Sequence, residues 1–399
     1  MSHYNKLKNI KVLILKYSET GGGIAQVLDH QLAVLREADI KTILVTIGNK
    51  KLADNLRQTS YKTYHLNSTA RQLSIILDHP FYAYKEILQV LKLQSEIYDI
   101  AKDENVDIMH AHRPGFALVC ARAVHKKHIP LIIGIHSIPQ QGRWRDIIRK
   151  KVTSIILNRN CAYVYGVAHA AIDKYAADLK VHHGVLYNAV PSMIQSGEIG
   201  QKLCNRDDLL DSTLIIGTIG RIKPGKGYEI FIEAAHILLK RNIALRFVIA
   251  GEPSSPWQEK YYSSLKQQVQ KLGIEENVFF AGYMSQEEFM SCADIVCNPS
   301  YSHIEVCSMV ILEAFAARRP VVATRLGGTP ELIRDGTNGL LTLPGDAEGL
   351  AKNLDILIQD AELRKKLGSS AYRIYQERYN LKIWKENLID LYAKYCRRN

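Results

Sequence analysis

Residues 305–341 read EVCSMVILEAFAARRPVVATRLGGTPELIRDGTNGLL. The pattern predicts a helix at Ser308–Ala317, a short strand at Val321–Thr324 and a second short strand beginning at Gly339. Helices that alternate with short β-branched runs are typical of βαβ units, whose strands pair in parallel. The stretch therefore predicts a parallel α/β sheet in this half of the chain.

The same alternation extends towards both ends of the chain. A polar segment with Pro and Gly interrupts it, and predicts a first domain at 1–193, a linker at 194–211 and a second domain at 212–375. The last segment, 376–399, is helical in period throughout. The other predicted strands are Ile10–Tyr17, Ile40–Ile47, Val106–Ala111, Pro130–Ile135, Ala162–Val167, Gly184–Tyr187, Thr213–Ile219, Leu245–Ala250, Val278–Ala281 and Ile295–Asn298.

The composition is that of a globular protein, with 47% hydrophobic and 23% charged residues among 399. No apolar run approaches the ~18–20 residues that span a bilayer, and the first residues do not read as a secretion signal. The seven cysteines include no CxxC pair, which argues against a zinc site and predicts free thiols in a reducing compartment. We expect a cytoplasmic protein without a bound metal.

The positive charge is concentrated in the first half of the chain. Residues 1–200 hold 26 Lys and Arg against 16 Asp and Glu, whereas residues 201–399 hold 26 against 24. A basic half beside a near-neutral half indicates that one domain faces something anionic. The charge by itself is compatible with three anionic partners: nucleic acid, a phospholipid surface or a pyrophosphate-bearing acceptor.

Glycine-rich turns follow the first strand of each predicted domain. Gly22 and Gly23 permit close approach of a ligand to the backbone, although the GxGxxG fingerprint is absent and a plain tight turn is the alternative. Arg221 and Lys226 bracket a glycine-bearing loop at a helix start. An arginine fork with a lysine suits a diphosphate, and a pair of solvated surface cations is the alternative.

Two glutamates and a histidine lie near other predicted strand ends. Glu305 and Glu313 are separated by seven residues, and carboxylates accept hydrogen bonds from neighbouring sugar hydroxyls. The alternatives are a favourable helix-dipole position for Glu305 and an ordinary surface position for Glu313. His136 either takes part in proton transfer or bonds a backbone carbonyl. His110 and His112, at the end of another strand, are weaker candidates.

These motifs occur in a recognisable order: the glycine-rich first loop, GRIKPGKG (220–227), VIAGE (248–252), FAGYMSQEEF (280–289) and the stretch 305–341. Together they resemble a family 4 retaining glycosyltransferase of the GT-B fold, and the likeness covers nearly the whole chain. It implies two Rossmann-like parallel α/β domains facing a central cleft, with a C-terminal helix that crosses back to the N-terminal domain. The first domain would bind the acceptor and the second the nucleotide sugar.

The resemblance also implies residue roles. Arg221 and Lys226 match the pair that holds the donor diphosphate, and Glu305 matches the glutamate that contacts the transferred sugar. Glu313 matches the residue that bonds the ribose, and His136 the histidine near the reacting centre. The other substrate-binding positions that it implies are Gly22 and Gly23 in the first loop, Gly282 and Tyr283 at the base-binding loop, and the backbone amides of Cys307, Ser308, Met309 and Val310.

The predicted reaction is transfer of a sugar from a nucleotide diphosphate sugar, a UDP-sugar, to a glycan or lipid-linked acceptor in cell-surface polysaccharide synthesis. No Asp-x-Asp motif occurs, so we expect cations of the chain to replace a metal, and no cofactor. Val306-Cys307-Ser308 stands where many family members have Gly-Phe-Gly, which bears on the choice of donor sugar. A nucleotide-sugar epimerase and a non-catalytic nucleotide-sugar or glycan-binding protein are the alternatives.

The segment 140–159 carries six Lys or Arg against one Asp, with apolar residues at helical spacing. It predicts either an interfacial helix on an anionic membrane or a packed helix with a solvated outer face. We expect a peripheral protein at the inner face of the cytoplasmic membrane. Nucleic-acid binding is not expected, because no basic-aromatic motif supports it.

Overall fold

The structure is a computed structural model that describes residues 7, 10–17, 22–48, 60–68, 83–138, 144–193, 213–241, 244–301 and 305–396. Its internal contacts divide the chain into two compact units. The first comprises Met1–Asn188 and Leu381–Asn399, and the second comprises Ala189–Asn380. The predicted linker at 194–211 lies outside the described residues.

The first unit contains a seven-stranded sheet in the order β3-β2-β1-β4-β5-β6-β7, with every pairing parallel. Its strands are β1 (Lys11–Tyr17), β2 (Lys41–Ile47), β3 (Lys62–Leu66), β4 (Ile108–Ala111), β5 (Leu131–Ile135), β6 (Tyr163–Gly166) and β7 (His183–Val185). Its helices are α1 (Gly23–Glu37), α2 (Ala83–Asp103), α3 (Phe116–Val119), α4 (Ala121–Lys127), α5 (Trp144–Asn160), α6 (His169–Ala176) and, at the end of the chain, α14 (Leu381–Tyr395).

The second unit contains a six-stranded parallel sheet in the order β10-β9-β8-β11-β12-β13. Its strands are β8 (Leu214–Ile219), β9 (Leu245–Ala250), β10 (Val278–Gly282), β11 (Ile295–Asn298), β12 (Val321–Thr324) and β13 (Leu340–Thr342). Its helices are α7 (Tyr228–Leu239), α8 (Pro256–Leu272), α9 (Gln286–Cys292), α10 (Met309–Ala316), α11 (Thr329–Leu332), α12 (Ala347–Gln359), α13 (Ala361–Ile374) and a π-helical turn, Tyr375–Tyr379.

The core strands are mostly apolar, as expected where helices cover both faces of a parallel sheet. In β12 every residue is buried, and β5 is buried along its whole length. In α14 the buried Trp384, Leu388 and Tyr392 recur every fourth residue and form one face. This face packs within the first unit, where α14 contacts α1.

The sequence pattern predicted all the strands of both sheets except β3. That strand is Lys-Thr-Tyr-His-Leu at the edge of the first sheet, and its residues are exposed or half-buried. Its polar residues give no buried apolar run, so the pattern carries no signal for it. The edge position explains why such a strand is tolerated.

The cysteines partly follow the sequence-based expectation. Among the described residues, five cysteines form no disulfide bond: Cys120, Cys161, Cys297, Cys307 and Cys396. Cys292 is disulfide-bonded, so the expectation of free thiols is wrong at that position. No helix in the described part of the chain is both long and apolar enough to cross a bilayer.

Two left-handed glycines of the second unit differ in their surroundings and provide a test of close packing. Gly227 has a φ of 78°, and a Cβ there would lie 2.0 Å from the carbonyl oxygen of Pro299. Gly273 has a φ of 66°, but a Cβ there would meet no heavy atom of the described residues within 4 Å.

We expect Gly273→Ala to lower the free energy of unfolding by about 1–2 kcal/mol, the cost of a left-handed L-residue. Gly227→Ala should cost clearly more, because its Cβ also displaces the Pro299 carbonyl. Urea-induced unfolding of both variants measures the difference. Equal losses would show that the approach of the two backbones at Gly227 and Pro299 does not constrain the fold.

Candidate active site

The loops that follow β8 and β11 meet at the carboxyl edge of the second sheet. β8 and β11 are neighbours in the sheet, with β9 on the far side of β8 and β12 on the far side of β11. The chain thus leaves this pair of strands in opposite directions. Open α/β sheets bind ligands at such a topological switch point. Tyr301 N donates to Gly225 O at 3.0 Å and holds the two loops together.

An ion pair joins the two loops. The Lys226 ammonium donates to Glu305 Oε1, and Ser300 Oγ donates to the same oxygen at 3.2 Å. Burial would raise the pKa of Glu305, but the charge and hydrogen bond of Lys226, with the hydrogen bond from Ser300, hold it below its ordinary value. The group at 305 is therefore a carboxylate.

The loop after β8 carries more positive charge than this carboxylate neutralises. Lys223 is half-buried, and burial followed by the charges of Arg221 and Lys226 lowers its pKa. Arg221 is exposed to solvent. Three cations thus act on one another within a single loop beside one carboxylate, and an anionic ligand would relieve their mutual repulsion.

Glu313 is only 1% exposed and lies within α10. The alternative of a surface carboxylate is therefore wrong. The residue before this helix, Ser308, accepts a hydrogen bond on its hydroxyl from the amide of Asn298 at 2.7 Å. Cys307, Ser308 and Met309 are buried and Val310 is partly buried. The first turn of α10 is thereby fixed at the carboxyl end of β11.

Gly282 and Tyr283 lie where β10 ends. Gly282 has a φ of 68° and accepts from Gly251 N at 2.6 Å, which ties the ends of β9 and β10 together. Tyr283 N donates to Glu252 Oε1 at 3.3 Å, while the Tyr283 side chain is 77% exposed. The turn thus combines a rigid backbone with an accessible aromatic ring.

In the first unit, Gly22 and His136 also follow strand ends. Gly22 has a φ of 70° and precedes α1, which begins at Gly23 after β1. His136 follows β5, and its Nε2 lies 2.9 Å from Nδ1 of His112, which follows β4. Nε2 of His136 is therefore hydrogen-bonded to a second histidine and not to a backbone carbonyl. Burial lowers the pKa of His136 well below its ordinary value.

Comparison with known proteins assigns the family. The model of "Glycosyltransferase Family 4" matches residues 21–192, and that of "Glycosyl transferases group 1" matches residues 206–374. Alpha-D-kanosaminyltransferase from Streptomyces kanamyceticus is 33% identical over 67% of this chain and 71% of that relative. The chain is a family 4 glycosyltransferase.

Other relatives agree with this assignment. N-acetyl-alpha-D-glucosaminyl L-malate synthase from Bacillus anthracis is 23% identical over 93% of both chains. With several further curated relatives the match spans less than half of the relative's length. A crystal structure of Anabaena HepE in complex with UDP has a TM-score of 0.82 at 22% identity, covering 96% of this chain and 100% of that one. The predicted GT-B fold, with two Rossmann-like parallel α/β units, is confirmed.

Several residues that contact the candidate residues of each unit were not found from the sequence. Lys223 and Ser300 lie inside the quoted loops, and only the contacts single them out. Gln31 could have been noticed, because it is a polar residue on the buried face of α1 between Leu28 and Leu35. His112 was a weaker candidate than His136, yet the two are hydrogen-bonded.

The ion pair makes stability depend on pH in a defined direction. A carboxyl whose pKa is lowered by folding stabilises the native state above its ordinary pKa of 4.5, and this contribution is lost as the pH falls through its lowered pKa. In Lys226→Met the burial of Glu305 is no longer offset, so its pKa should rise. We expect the variant to be less stable than the wild type at pH 7.

This stability difference should shrink as the pH falls from the raised pKa of the variant's carboxyl to the lowered pKa of the wild type's, because below both values the carboxyl is protonated in both proteins. Thermal unfolding across this pH range measures it, and ¹³C titration of the Glu305 carboxyl reads the pKa directly. Lys352→Met, which removes an exposed lysine of α12, is the control. A difference independent of pH would contradict the assigned ion pair.

Proposed function

We propose that this glycosyltransferase moves a hexose from a UDP-sugar to a glycan or lipid-linked acceptor, with retention of anomeric configuration and without a metal ion. The proposed setting is cell-surface polysaccharide synthesis in the cytoplasm. The observation that carries the proposal is the Lys226–Glu305 pair at the switch point of the second sheet, beside Lys223 and Arg221. Cations for a diphosphate and a carboxylate for sugar hydroxyls are the groups that a sugar nucleotide requires.

Departure of the nucleoside diphosphate is the step that these cations assist. When the bond from the anomeric carbon to the β-phosphate oxygen breaks, negative charge grows on the leaving group. Arg221 and Lys226 hold that charge better in the transition state than in the bound donor, which lowers the barrier. Lys223 adds a third positive charge to the same loop.

The ion pair also prepares the site for the donor. The Lys226 ammonium is paired with Glu305 in a half-buried position. A bound diphosphate would share the ammonium, and Glu305 would accept hydrogen bonds from the transferred sugar in exchange. Glu305 thus orients the sugar and acts electrostatically, and no covalent intermediate on it is invoked.

The remaining residues take the roles that their positions suit. Glu313 bonds the ribose, the backbone amides of residues 307–310 meet the sugar and phosphate, and the turn at Gly282 and Tyr283 holds the base. In the first unit, Gly22 and Gly23 form the loop that contacts donor and acceptor, and His136 bonds a hydroxyl of the transferred sugar. The UDP specificity is supported by the shared fold of Anabaena HepE, whose crystal structures contain UDP or UDP-glucose.

The acceptor class and the membrane setting rest on α5. Trp144, Ile147 and Ile155 are more than half exposed, and the spacing of these residues places them with Ile148 on one helix face. The exposed Lys151 shares that face. An apolar face with an exposed lysine is suited to the surface of an anionic bilayer, where a lipid-linked acceptor would be presented.

The donor assignment predicts the effect of removing the cations. Each of Arg221→Ala and Lys226→Ala should lower kcat about 100- to 1000-fold, as loss of one oxyanion donor does, and the double variant should have no measurable transfer. Product formation from radiolabelled UDP-sugars, with thermal shift of the free enzyme as the binding readout, measures this. Lys352→Ala is the matched control for removal of a cation in the second unit.

Normal turnover in the double variant would refute the donor site. Conversion of the UDP-sugar without any acceptor would instead identify an epimerase, and stabilisation by the donor without turnover would identify a binding protein. Stabilisation by other nucleotide sugars but not by UDP-sugars would overturn the choice of base.

The membrane setting predicts salt-sensitive binding to vesicles that contain phosphatidylglycerol. Lys151→Glu should weaken this binding, because it places a negative charge on the apolar face of α5. Lys352→Glu, the same charge change in the second unit, should not. Vesicle sedimentation measures both, and equal binding of the wild type to neutral and anionic vesicles would contradict the proposal.

A further inference from the structure

A carboxylate of the second unit, Glu229, accepts hydrogen bonds from two tyrosines. The hydroxyl of Tyr261 donates to Glu229 Oε2, and the hydroxyl of Tyr301 donates to Glu229 Oε1 at 2.8 Å. Glu229 lies in the first turn of α7, Tyr261 lies on α8, and Tyr301 lies in the loop after β11. One side chain thus joins two helices to the loop that leads to Glu305.

The position of Glu229 is set by α8. Gln268 Nε2 donates to the backbone carbonyl of Glu229 at 3.1 Å, while the hydroxyl of Tyr261 donates to its side chain. The backbone and the carboxylate of one residue are therefore bonded to the same neighbouring helix. With Oε2 bonded to Tyr261, Oε1 of the carboxylate faces Tyr301.

Both tyrosines are neutral and donate to the carboxylate. The hydrogen bond to Glu229, together with burial, raises the pKa of Tyr301, and burial followed by that hydrogen bond raises the pKa of Tyr261. A hydrogen bond to an ionised acceptor is roughly twice as strong as one between neutral groups. The bond to Glu229 therefore restrains Tyr301, although this residue is 37% exposed.

Tyr301 adjoins the residue that contacts Glu305. Ser300 is only 3% exposed, and its hydroxyl donates to Glu305 Oε1 at 3.2 Å. Tyr301 is held twice, because its backbone N donates to Gly225 O at 3.0 Å and its hydroxyl donates to Glu229. A residue that is bonded both at its backbone and at the end of its side chain limits the movement of the residue before it. The placement of Ser300 against Glu305 therefore depends on Tyr301.

We propose that Glu229 and Tyr261 are positioning residues, which hold Tyr301 and thereby keep Ser300 and Glu305 in place for the transferred sugar. The inference rests on the proposed role of Glu305 in orienting that sugar. The action is indirect: Tyr261 orients the carboxylate, the carboxylate orients Tyr301, and Tyr301 holds the loop. Such a chain of contacts matters because a displacement of about 1 Å at a reacting group can lower the rate about 100-fold.

Tyr301→Phe tests this anchor, because it removes the hydroxyl and leaves the backbone bond to Gly225. We expect kcat for transfer from a UDP-sugar to fall about 10-fold, as a partial displacement of the loop would cause. Binding of UDP alone, read as a thermal shift, should stay as in the wild type, since UDP has no sugar for Glu305 to contact. In ¹³C titration, the pKa of Glu305 should rise towards its value in Ser300→Ala, where the hydrogen bond from residue 300 is absent.

Two substitutions of Glu229 separate the contacts from the charge. Glu229→Leu removes both hydrogen bonds and should lower kcat at least as much as Tyr301→Phe. Glu229→Gln should retain most of the activity, because its amide oxygen accepts from one tyrosine and its amide nitrogen donates to the other hydroxyl. Glu233→Leu, which removes an exposed carboxylate from the same helix, is the control and should leave kcat unchanged.

Tyr261 should act only through Tyr301. Tyr261→Phe should lower kcat by itself but should cause no further loss when added to Tyr301→Phe, because the orientation of the Glu229 carboxylate then no longer matters. Tyr262→Phe is the matched control on α8, where the ring of Tyr262 packs edge-on against Phe280 with 5.4 Å between the ring centroids. Its kcat should equal that of the wild type.

Unchanged kcat and an unchanged pKa of Glu305 in Tyr301→Phe would overturn the proposal, as would additive losses in the double variant. A Glu229→Leu protein that is less stable but keeps its kcat would reduce the contacts to a structural role. Loss of UDP binding in Tyr301→Phe would contradict an effect confined to the sugar. Full turnover of Glu305→Gln would place the failure in the proposed role of Glu305, while the ¹³C titration of Tyr301→Phe would still decide whether the anchor holds Ser300.

Discussion

The parallel pairing of β8 with β11 is the constraint on which the site of the second unit depends. It brings two loops that are far apart in sequence to one edge of the sheet, where Lys226 meets Glu305. The close approach of Gly227 to the Pro299 carbonyl leaves no room for a side chain between them. The backbone therefore sets the distance between the two loops that carry Lys226 and Glu305.

Both units use the same physical arrangement for different purposes. In the second unit, the loops after neighbouring strands carry opposite charges, and the ion pair keeps Glu305 ionised despite its burial. In the first unit, the loops after β4 and β5 carry His112 and His136, which burial keeps neutral. Charged side chains suit a diphosphate, whereas neutral imidazoles suit hydroxyl groups, so the two candidate sites differ in their chemistry.

The sequence predicted the fold because strands of a parallel sheet that helices cover on both faces are nearly continuous apolar runs. β12, which reads Val-Val-Ala-Thr, is such a run, whereas the polar edge strand β3 has no comparable signal. The family resemblance supplied Lys226 and Glu305 as separate residues, and their direct contact came from the structure. Periodicity could not show that Glu313 is buried, because a carboxylate at a core position departs from the usual partition of polar groups.

The hydrogen bonds around Gln31 and His110 show a different limit. They join side chains of α1, β4, β6 and α14, and such long-range polar contacts leave no local pattern. The first unit is completed by residues that follow the entire second unit in the chain. A ribosome therefore makes α1 and the first sheet well before α14, and the whole second unit is synthesised in between. Until α14 emerges, the surface of α1 that it contacts lacks this covering helix.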